Sequence, residues 1–413
     1  MYRPSRLSVS TGQSAQEVVA RGRSVPRTRL LGSAIGLALA LSACSSAPSG
    51  STTGAPTSVP SGSIAAEPAS PSTGTDVYEG ELGAIVFNRS LDLYTIATDG
   101  SREQLIHESW DGIGLSRDGT TFFTPATAPD GRLLPLILPA DGSGEYWLPI
   151  ADPTLELGIG DWSPDGTRLL FDAWDGTDAT RAGIYTLSLE GNDLVRLTNA
   201  GPRSNIPAYT GAYSPDGKRV LFFSPVAEDK GDAGSMNLFV VDDDGTDLVQ
   251  LNPPDTQAGL VGPSGASDWS PDGQQVAFVA SNGNFWSTVD RAVFVVNADG
   301  SDPVRITEWG DILTVQWSPD GQLLAVTMAG SMGTDEIVTV RPDGTNPMPV
   351  TSSEEGTFSF GATWSPDGSQ LLFIRGTDLR GSMDLWIVNA DGTNPVQITN
   401  SSVEVGGYEW VPQ

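Results

Sequence analysis

The chain has 413 residues, a formal net charge of -29 and a hydrophobic fraction of 38%, which is enough apolar material for a sizeable core. This acidity disfavours nucleic acid and anionic membrane surfaces as partners. A single cysteine excludes an intrachain disulfide, and a single histidine, His107, leaves no basis for a zinc site or a Ser-His-Asp triad. The 48 glycines and 30 prolines favour a turn-rich, all-β chain.

The N-terminus has the pattern of an export signal. A basic stretch at residues 21–29 precedes an uncharged apolar run from Leu30 to Ala43, which is too short to span a membrane. The run ends in Leu41-Ser42-Ala43-Cys44, which resembles a bacterial lipobox. That resemblance implies that residues 1–43 are a lipoprotein signal peptide and that Cys44 carries the lipid.

Residues 44–78 are predicted to be the lipidated cysteine and a disordered tether, because Ser, Thr, Pro and Gly dominate and no apolar periodicity occurs. The folded domain is then expected over residues 79–413. Together these features predict a bacterial protein that is anchored to the cell membrane by lipid on its extracytoplasmic face.

An internal repeat dominates the predicted domain. The motif Trp162-Ser163-Pro164-Asp165-Gly166 recurs from Tyr213, Trp269, Trp317 and Trp364, with a weaker copy at Leu115 and a truncated one at Trp410. Successive copies are 46 to 56 residues apart, and each unit contains four short β-rich runs separated by turn residues. Such a unit is typical of a propeller blade.

The Asp and Gly of each motif are expected to be structural turn residues rather than ligands. Asp bonds to the local backbone, and Gly supplies the left-handed φ that closes a hairpin. The tryptophan ahead of each turn is expected to pack between adjacent sheets. These turn residues are Asp165, Gly166, Asp216, Gly217, Asp272, Gly273, Asp320, Gly321, Asp367 and Gly368.

The Trp-Ser-Pro-Asp-Gly repeats resemble the WD40-like repeat (PD40) of the TolB C-terminal propeller. The resemblance covers about residues 82–413 and implies an all-β propeller of four-stranded antiparallel blades. Six complete units start between Leu115 and Trp364, and a seventh has only its first strand at Gly406–Trp410. Residues 82–106 supply three further strands, so we predict seven blades closed by N- and C-terminal strands, with six or eight left open because Pro135 and Pro139 interrupt a strand position.

Partner contacts are expected on the face opposite the Ser-Pro-Asp-Gly turns, where loops between second and third strands and between blades vary in length. The candidate loop residues are Trp110, Asp111, Arg203, Asn205, Tyr209, Trp286, Trp309, Asp311 and Phe358.

The predicted function is binding or scaffolding by a monomer, with an envelope protein, a peptide or a glycan as partner. No nucleic-acid, metal or cofactor motif and no catalytic set is found in the sequence, although calcium stays open because carboxylates abound. The alternatives are an enzyme that uses channel carboxylates, of the calcium-assisted hydrolase or lactonase type, and a subunit that gates a separate hydrolase.

Overall fold

The computed structural model describes residues 82–110, 112–141, 143–191, 193–198, 209–226, 235–253, 256–258, 267–281, 290–329, 335–352, 357–377, 383–400 and 405–412. These residues form seven antiparallel sheets, one for each predicted blade. The prediction of a seven-bladed, all-β propeller is therefore confirmed.

The strands of the N-terminal half follow the predicted units in chain order. The first three strands are β1 (Ile85–Arg89), β2 (Asp92–Ile96) and β3 (Gln104–His107). Blade 1 contains β4 (Gly114–Leu115), β5 (Thr121–Thr127), β6 (Leu133–Pro139) and β7 (Tyr146–Trp147). Blade 2 contains β8 (Leu155–Trp162), β9 (Arg168–Asp175), the short 3-10 helix Ala179–Arg181, β10 (Gly183–Ser188) and β11 (Val195–Arg196). Blade 3 contains β12 (Tyr209–Tyr213), β13 (Arg219–Val226), β14 (Ser235–Asp242) and β15 (Val249–Gln250).

The C-terminal half repeats this arrangement. Blade 4 contains β16 (Gln257–Ala258), β17 (Ser267–Trp269), β18 (Gln275–Ser281), β19 (Arg291–Asn297) and β20 (Val304–Arg305), and both β16 and β17 pair with β18. Blade 5 contains β21 (Ile312–Trp317), β22 (Leu324–Ala329), β23 (Asp335–Val340) and β24 (Met348–Pro349). Blade 6 contains β25 (Phe358–Trp364), β26 (Gln370–Gly376), β27 (Met383–Asn389) and β28 (Val396–Gln397), and the last strand is β29 (Val405–Trp410).

The two ends of the domain meet in blade 7, as the sequence predicts. Its strand order is β29-β1-β2-β3, so one C-terminal strand completes three N-terminal strands. Ile85 pairs with Trp410 and Phe87 with Tyr408, and the Val411 amide donates to the Ala84 carbonyl at 2.9 Å. The ring is thereby closed without an unpaired inner edge in this blade.

Blade 1 is complete despite its degenerate sequence. Pro135 and Pro139 both lie in β6, and Pro125 of β5 stands opposite Pro135. A proline lacks the amide hydrogen that a ladder requires. Pro125 and Pro135 share one pair position, and Pro139 is the last residue of β6, opposite Thr121.

The Ser-Pro-Asp-Gly turns share one geometry. In the first full copy the Ser163 hydroxyl donates to Asp165 Oδ1 at 2.7 Å, and the Thr167 amide donates to the same oxygen at 3.1 Å. Gly166 has a φ of +68°, which an L side chain adopts only with strain. These donors also lower the pKa of the Asp165 carboxyl below its ordinary value. The five Asp-Gly pairs therefore stabilise the turns of the hairpins.

Each seam between neighbouring blades is filled by one apolar cluster, and the described residues contain seven such clusters. The repeated tryptophan packs against the preceding blade, as expected. Trp162 Nε1 donates to the Gly114 carbonyl at 2.9 Å, and Trp410 Nε1 donates to the Thr363 carbonyl at 3.2 Å. The indole thus seals the seam and satisfies its own polar atom there.

Asp172 places a carboxyl group within this apolar pattern. Asp172 of β9 is 8% exposed, in a strand whose neighbouring residue Leu170 belongs to the core between blades 2 and 3. Its carboxyl lies over Gly158, where an added Cβ would come within 2.6 Å of the carboxylate oxygens. Burial raises the pKa of Asp172 to about 7.

Candidate functional site

The loop residues predicted to contact a partner lie in very different surroundings. Asp111, Arg203, Asn205 and Trp286 lie outside the described residues. Tyr209 begins β12, although only its backbone is described. Four members of the set, Trp110, Trp309, Asp311 and Phe358, have described side chains.

Two of these four side chains are buried. Trp110 is 0% exposed and packs in the seam between blades 7 and 1, where Asn88 Nδ2 donates to its carbonyl at 2.7 Å. Phe358 is 4% exposed in the seam between blades 6 and 7. A partner on the surface cannot reach either ring in this structure, and both rings contribute to packing.

We expect Trp110→Ala to lower the free energy of unfolding by about 3–5 kcal/mol, because it leaves a large cavity in a seam. Urea unfolding followed by circular dichroism measures this effect. Trp309→Ala is the matched control, since Trp309 is only partly buried against Phe294. Equal, small losses in the two variants would show that the Trp110 ring does not hold the seam.

Trp309 packs against the seam between blades 3 and 4, whereas Asp311 directly precedes β21 of blade 5. The Arg305 guanidinium stands 5.2 Å from the Trp309 ring centroid. Arg291 is 8% exposed, and its charge acts on Asp311, whose pKa is nevertheless raised by burial. Asp335 belongs to the same group, because burial and the charge of Asp311 raise its pKa to about 6. Arg291, Asp311 and Asp335 therefore form a partly buried ionic cluster.

A second set of polar groups lies where the inner strands end beside the Ser-Pro-Asp-Gly turns. The residue before each repeated aromatic or leucine is the last but one of its strand, close to the turn. In chain order these residues are Gly114, Asp161, Ala212, Asp268, Gln316, Thr363 and Glu409. Three of the seven positions are therefore carboxylic acids.

The three acids come from different sides of the ring and still act on one another. Asp161 belongs to blade 2, Asp268 to blade 4 and Glu409 to blade 7, so no two of them are in neighbouring blades. The charge of Asp161 raises the pKa of both other carboxyls. Because the effect of a charge falls with distance, this coupling indicates that the ends of these strands approach one another across the ring.

We call this end of the channel the channel mouth, and we define it by Asp161, Asp268, Glu409 and Arg117. Asp268 Oδ2 accepts from the Trp317 amide at 2.7 Å, and Asp161 Oδ1 accepts from the Trp162 amide at 2.8 Å. Both acids and Glu409 remain partly exposed to solvent. A ligand in the channel could therefore contact them.

Burial is the main influence on the acids of the channel mouth. It raises the pKa of Asp268 to about 7 and that of Glu409 to about 8, and it also raises the pKa of Asp161. Arg117 opposes this effect at all three carboxyls. Acids with raised pKa values are enriched at functional sites, and buried structural carboxyls such as Asp172 have raised pKa values too.

The sequence indicates this site only when the repeats are compared with one another. When the repeats are aligned, an acid precedes the aromatic residue at Asp161, Asp268 and Glu409, and Arg117 replaces the proline of the motif. A pattern within one unit cannot show that these positions meet across the ring, because their convergence depends on the closed propeller.

Neither a metal centre nor a membrane span is found in the described part of the chain. Among those residues, no three Asp, Glu, His or Cys side chains are grouped closely enough to hold a metal ion. The same residues include no helix with the length and apolarity needed to cross a bilayer.

The repeats, the four-stranded blades and the ring closure define this chain as a seven-bladed β-propeller protein. The family model described as the TolB beta propeller domain, PD40, matches residues 162–413. This match covers more than half of the chain, which therefore belongs to the PD40 family.

More distant similarities agree on the fold. Dipeptidyl-peptidase 5 of Arthroderma otae is 28% identical over 155 residues, which make up 35% of this chain and 21% of the peptidase. The chain thus spans about a fifth of the length of that relative. Oligogalacturonate lyase from Vibrio parahaemolyticus is 15% identical with a TM-score of 0.54, covering 72% of this chain and 83% of the lyase. The propeller domain of the Trilobed protease from Pyrococcus furiosus is 10% identical with the same TM-score, covering 78% and 96%.

Proposed function

We propose that this protein is a lipid-anchored extracytoplasmic binding protein whose propeller holds a cationic group of a protein or peptide partner at the channel mouth. The observation that carries the proposal is that Asp161, Asp268 and Glu409 each stand last but one in an inner strand, and that the charge of Asp161 acts on both other carboxyls. Three carboxyls in a confined space create a negative potential that attracts positive charge. This chemistry favours lysine, arginine or a terminal amine over a neutral glycan.

Membrane attachment through Cys44 is part of the proposal and is supported by the lipobox-like sequence. The described domain begins at Leu82, which lines an open pocket together with Gly119 and Pro412. Gly119 belongs to the turn that carries Arg117, so the chain enters the propeller on the face of the channel mouth. A tether that reaches the propeller on this face would place the channel mouth on the same side of the domain as the lipid anchor.

Binding of a cation is expected to be linked to proton release. The raised pKa values mean that the Asp268 and Glu409 carboxyls retain part of their protons near neutral pH. A bound cation favours the ionised forms, so affinity should rise as pH increases through 7 and 8 and become constant above the pKa of Glu409.

We expect hexalysine to bind full-length protein in detergent and to bind the double variant Asp268→Asn/Glu409→Gln at least about ten-fold more weakly at pH 8 and low salt. Isothermal titration calorimetry between pH 6 and 9 measures both affinity and proton release. The matched control is Glu190→Gln/Glu308→Gln, which also removes two carboxyl groups, but from exposed positions. Equal affinity in the double variant and the control would contradict a site at the channel mouth.

A second candidate is an enzyme that uses the channel carboxyls. It is supported by Glu409, whose pKa of about 8 lets it hold a proton at neutral pH and donate it as a general acid. The two candidates differ in what happens to the ligand. Turnover of a sugar or lactone substrate that is lost in Glu409→Gln would favour the enzyme, whereas a ligand recovered unchanged favours binding.

A further inference from the structure

Tyr213 is the only tyrosine at the aromatic position of the repeat, where five copies carry tryptophan. Trp269 Nε1 and Trp364 Nε1 each donate at 3.3 Å to a carbonyl in the inner strand of the preceding blade. The Tyr213 hydroxyl instead contacts the Thr186 hydroxyl at 2.7 Å, and Thr186 lies in β10 of blade 2. A smaller ring with a different polar contact therefore occupies the seam between blades 2 and 3.

Two equivalent arginines, Arg219 and Arg168, differ in what they do beside this ring. Each stands two residues after the glycine of its Ser-Pro-Asp-Gly turn. The Arg219 guanidinium lies 5.2 Å from the Trp269 ring centroid, in the seam between blades 3 and 4. The Arg168 guanidinium pairs with Asp193 at 2.5 Å, and its Nε donates to Thr186 Oγ1 at 3.0 Å. Arg168 is thus held against its own blade rather than over the aromatic ring of the next one.

A pocket of about 450 Å³ lies between the turns of blades 2 and 3, and we call it the seam pocket. Its volume falls within the range of about 300–1,000 Å³ that is typical of small-molecule sites. Thr186 and Tyr213, which are 3% and 2% exposed, form its buried part. Arg168 is half-buried in its lining, and Lys218 and Asp243 are exposed at its edge. The seam pocket therefore connects solvent with buried polar groups.

Thr186 and Tyr213 bring two hydroxyl hydrogens into the seam pocket, and their mutual contact uses only one of them. Thr186 Oγ1 already accepts from Arg168 Nε, so this holds whichever hydroxyl donates to the other. No residue in the described part of the chain accepts the second hydrogen. Buried donors are normally paired, so this hydrogen indicates that an acceptor enters the seam pocket from outside.

The lining of the seam pocket favours a neutral ligand that carries several hydroxyl groups. Arg168 and Lys218 can only donate hydrogen bonds, whereas ionised Asp216 and Asp243 can only accept them. An anion would be repelled by the two carboxylates and a cation by the two basic side chains. A hydroxyl group both donates and accepts, so neighbouring hydroxyls on one ring can use both kinds of partner.

We propose that the seam pocket binds one hexopyranose ring of a neutral sugar. Pro164 and Val195 also line the pocket and offer apolar surface to the C–H groups of such a ring. The inference goes beyond the cationic partner proposed above and does not depend on it, because the seam pocket and the channel mouth share no residue.

The test is saturation-transfer difference NMR on the full-length protein in detergent, with the methyl glycosides of glucose, galactose, mannose and N-acetylglucosamine as probes. We expect at least one probe to bind the natural protein. Tyr213→Trp restores the residue of five other repeats and places an indole in the pocket, so we expect it to weaken binding at least about ten-fold. Circular dichroism and the melting temperature check that this variant folds.

A second comparison avoids the seam altogether. Lys218→Gln and the control Arg341→Gln each remove one exposed positive charge, from blades 3 and 5. We expect Lys218→Gln to weaken binding by about five-fold and Arg341→Gln to leave it unchanged. Absence of binding by all four probes, or equal binding by the natural protein and folded Tyr213→Trp, overturns the proposal. If Tyr213→Trp does not fold, equal binding by Lys218→Gln and Arg341→Gln overturns it.

Discussion

Deletion of Gly406–Gln413 is expected to destabilise the whole propeller rather than one blade. The deletion removes most of β29, and with it the pairing to β1 and the Trp410 ring in the seam between blades 6 and 7. Loss of a buried tryptophan alone costs about 3–5 kcal/mol, and loss of the strand adds the cost of an opened ring. We expect the melting temperature to fall by about 10 °C or more.

The control for this deletion is Trp410→Ala, which empties the same seam but keeps the backbone ladder. Differential scanning calorimetry should place this variant between the deletion and the natural protein. If the deletion melts within about 2 °C of the natural protein, β29 does not close the ring in solution.

Asp172→Asn is expected to stabilise the protein at pH 8 and to have almost no effect at pH 4. The pKa of Asp172 is raised to about 7 in the folded protein, whereas an unfolded aspartate releases its proton near its ordinary value. Below pH 4 both states hold the proton, so the carboxyl makes no difference. As pH rises from 4 to 7 only the unfolded state loses the proton, and the natural protein loses stability.

The size of this effect follows from the difference between the two pKa values. One unit corresponds to about 1.4 kcal/mol, so the full loss is a few kcal/mol and is complete above pH 7. Asparagine has the shape of the protonated acid but cannot ionise. Urea unfolding of both proteins between pH 4 and 8 measures the difference, in which the other titrating groups cancel.

Asp367→Asn is a control for which the expected change in stability with pH has the opposite sign. Turn hydrogen bonds from Ser365 and Ser369 lower the pKa of Asp367 to about 2. Its carboxylate therefore stabilises the protein above pH 4, and that contribution disappears as pH falls through 2. Parallel pH profiles for the natural protein and Asp172→Asn would contradict a buried, titrating Asp172.

The repeat carries enough information to predict the blades, the turns and the closure. Each copy of the motif places an aromatic residue, a Ser-Asp hydrogen bond and a glycine of positive φ at fixed spacing. The hairpins can therefore be predicted from the local sequence. Ring closure was also predictable. Gly406–Trp410 supplies one strand of a four-stranded blade, and residues 82–106 supply the other three.

The candidate site was harder to predict because it is made by long-range geometry. Asp161, Asp268 and Glu409 are far apart in sequence, and only the closed ring brings them together. Asp172 looks like an outward-facing polar residue at the end of an apolar run, yet both faces of a blade are covered by neighbouring blades, and it is buried. Trp110 likewise looks like an exposed loop aromatic in the sequence. In the structure its ring packs into the seam between blades 7 and 1.

The central claim is that the channel mouth receives a cationic partner, and a comparative pull-down from detergent-solubilised native envelopes tests it most directly. The baits are full-length protein, the triple variant Asp161→Asn/Asp268→Asn/Glu409→Gln, and the surface control Glu190→Gln/Glu308→Gln. We predict that the natural protein and the control capture the same stoichiometric partner and that the triple variant, although folded, does not. Equal capture by the triple variant, or no partner on any bait, would contradict the claim.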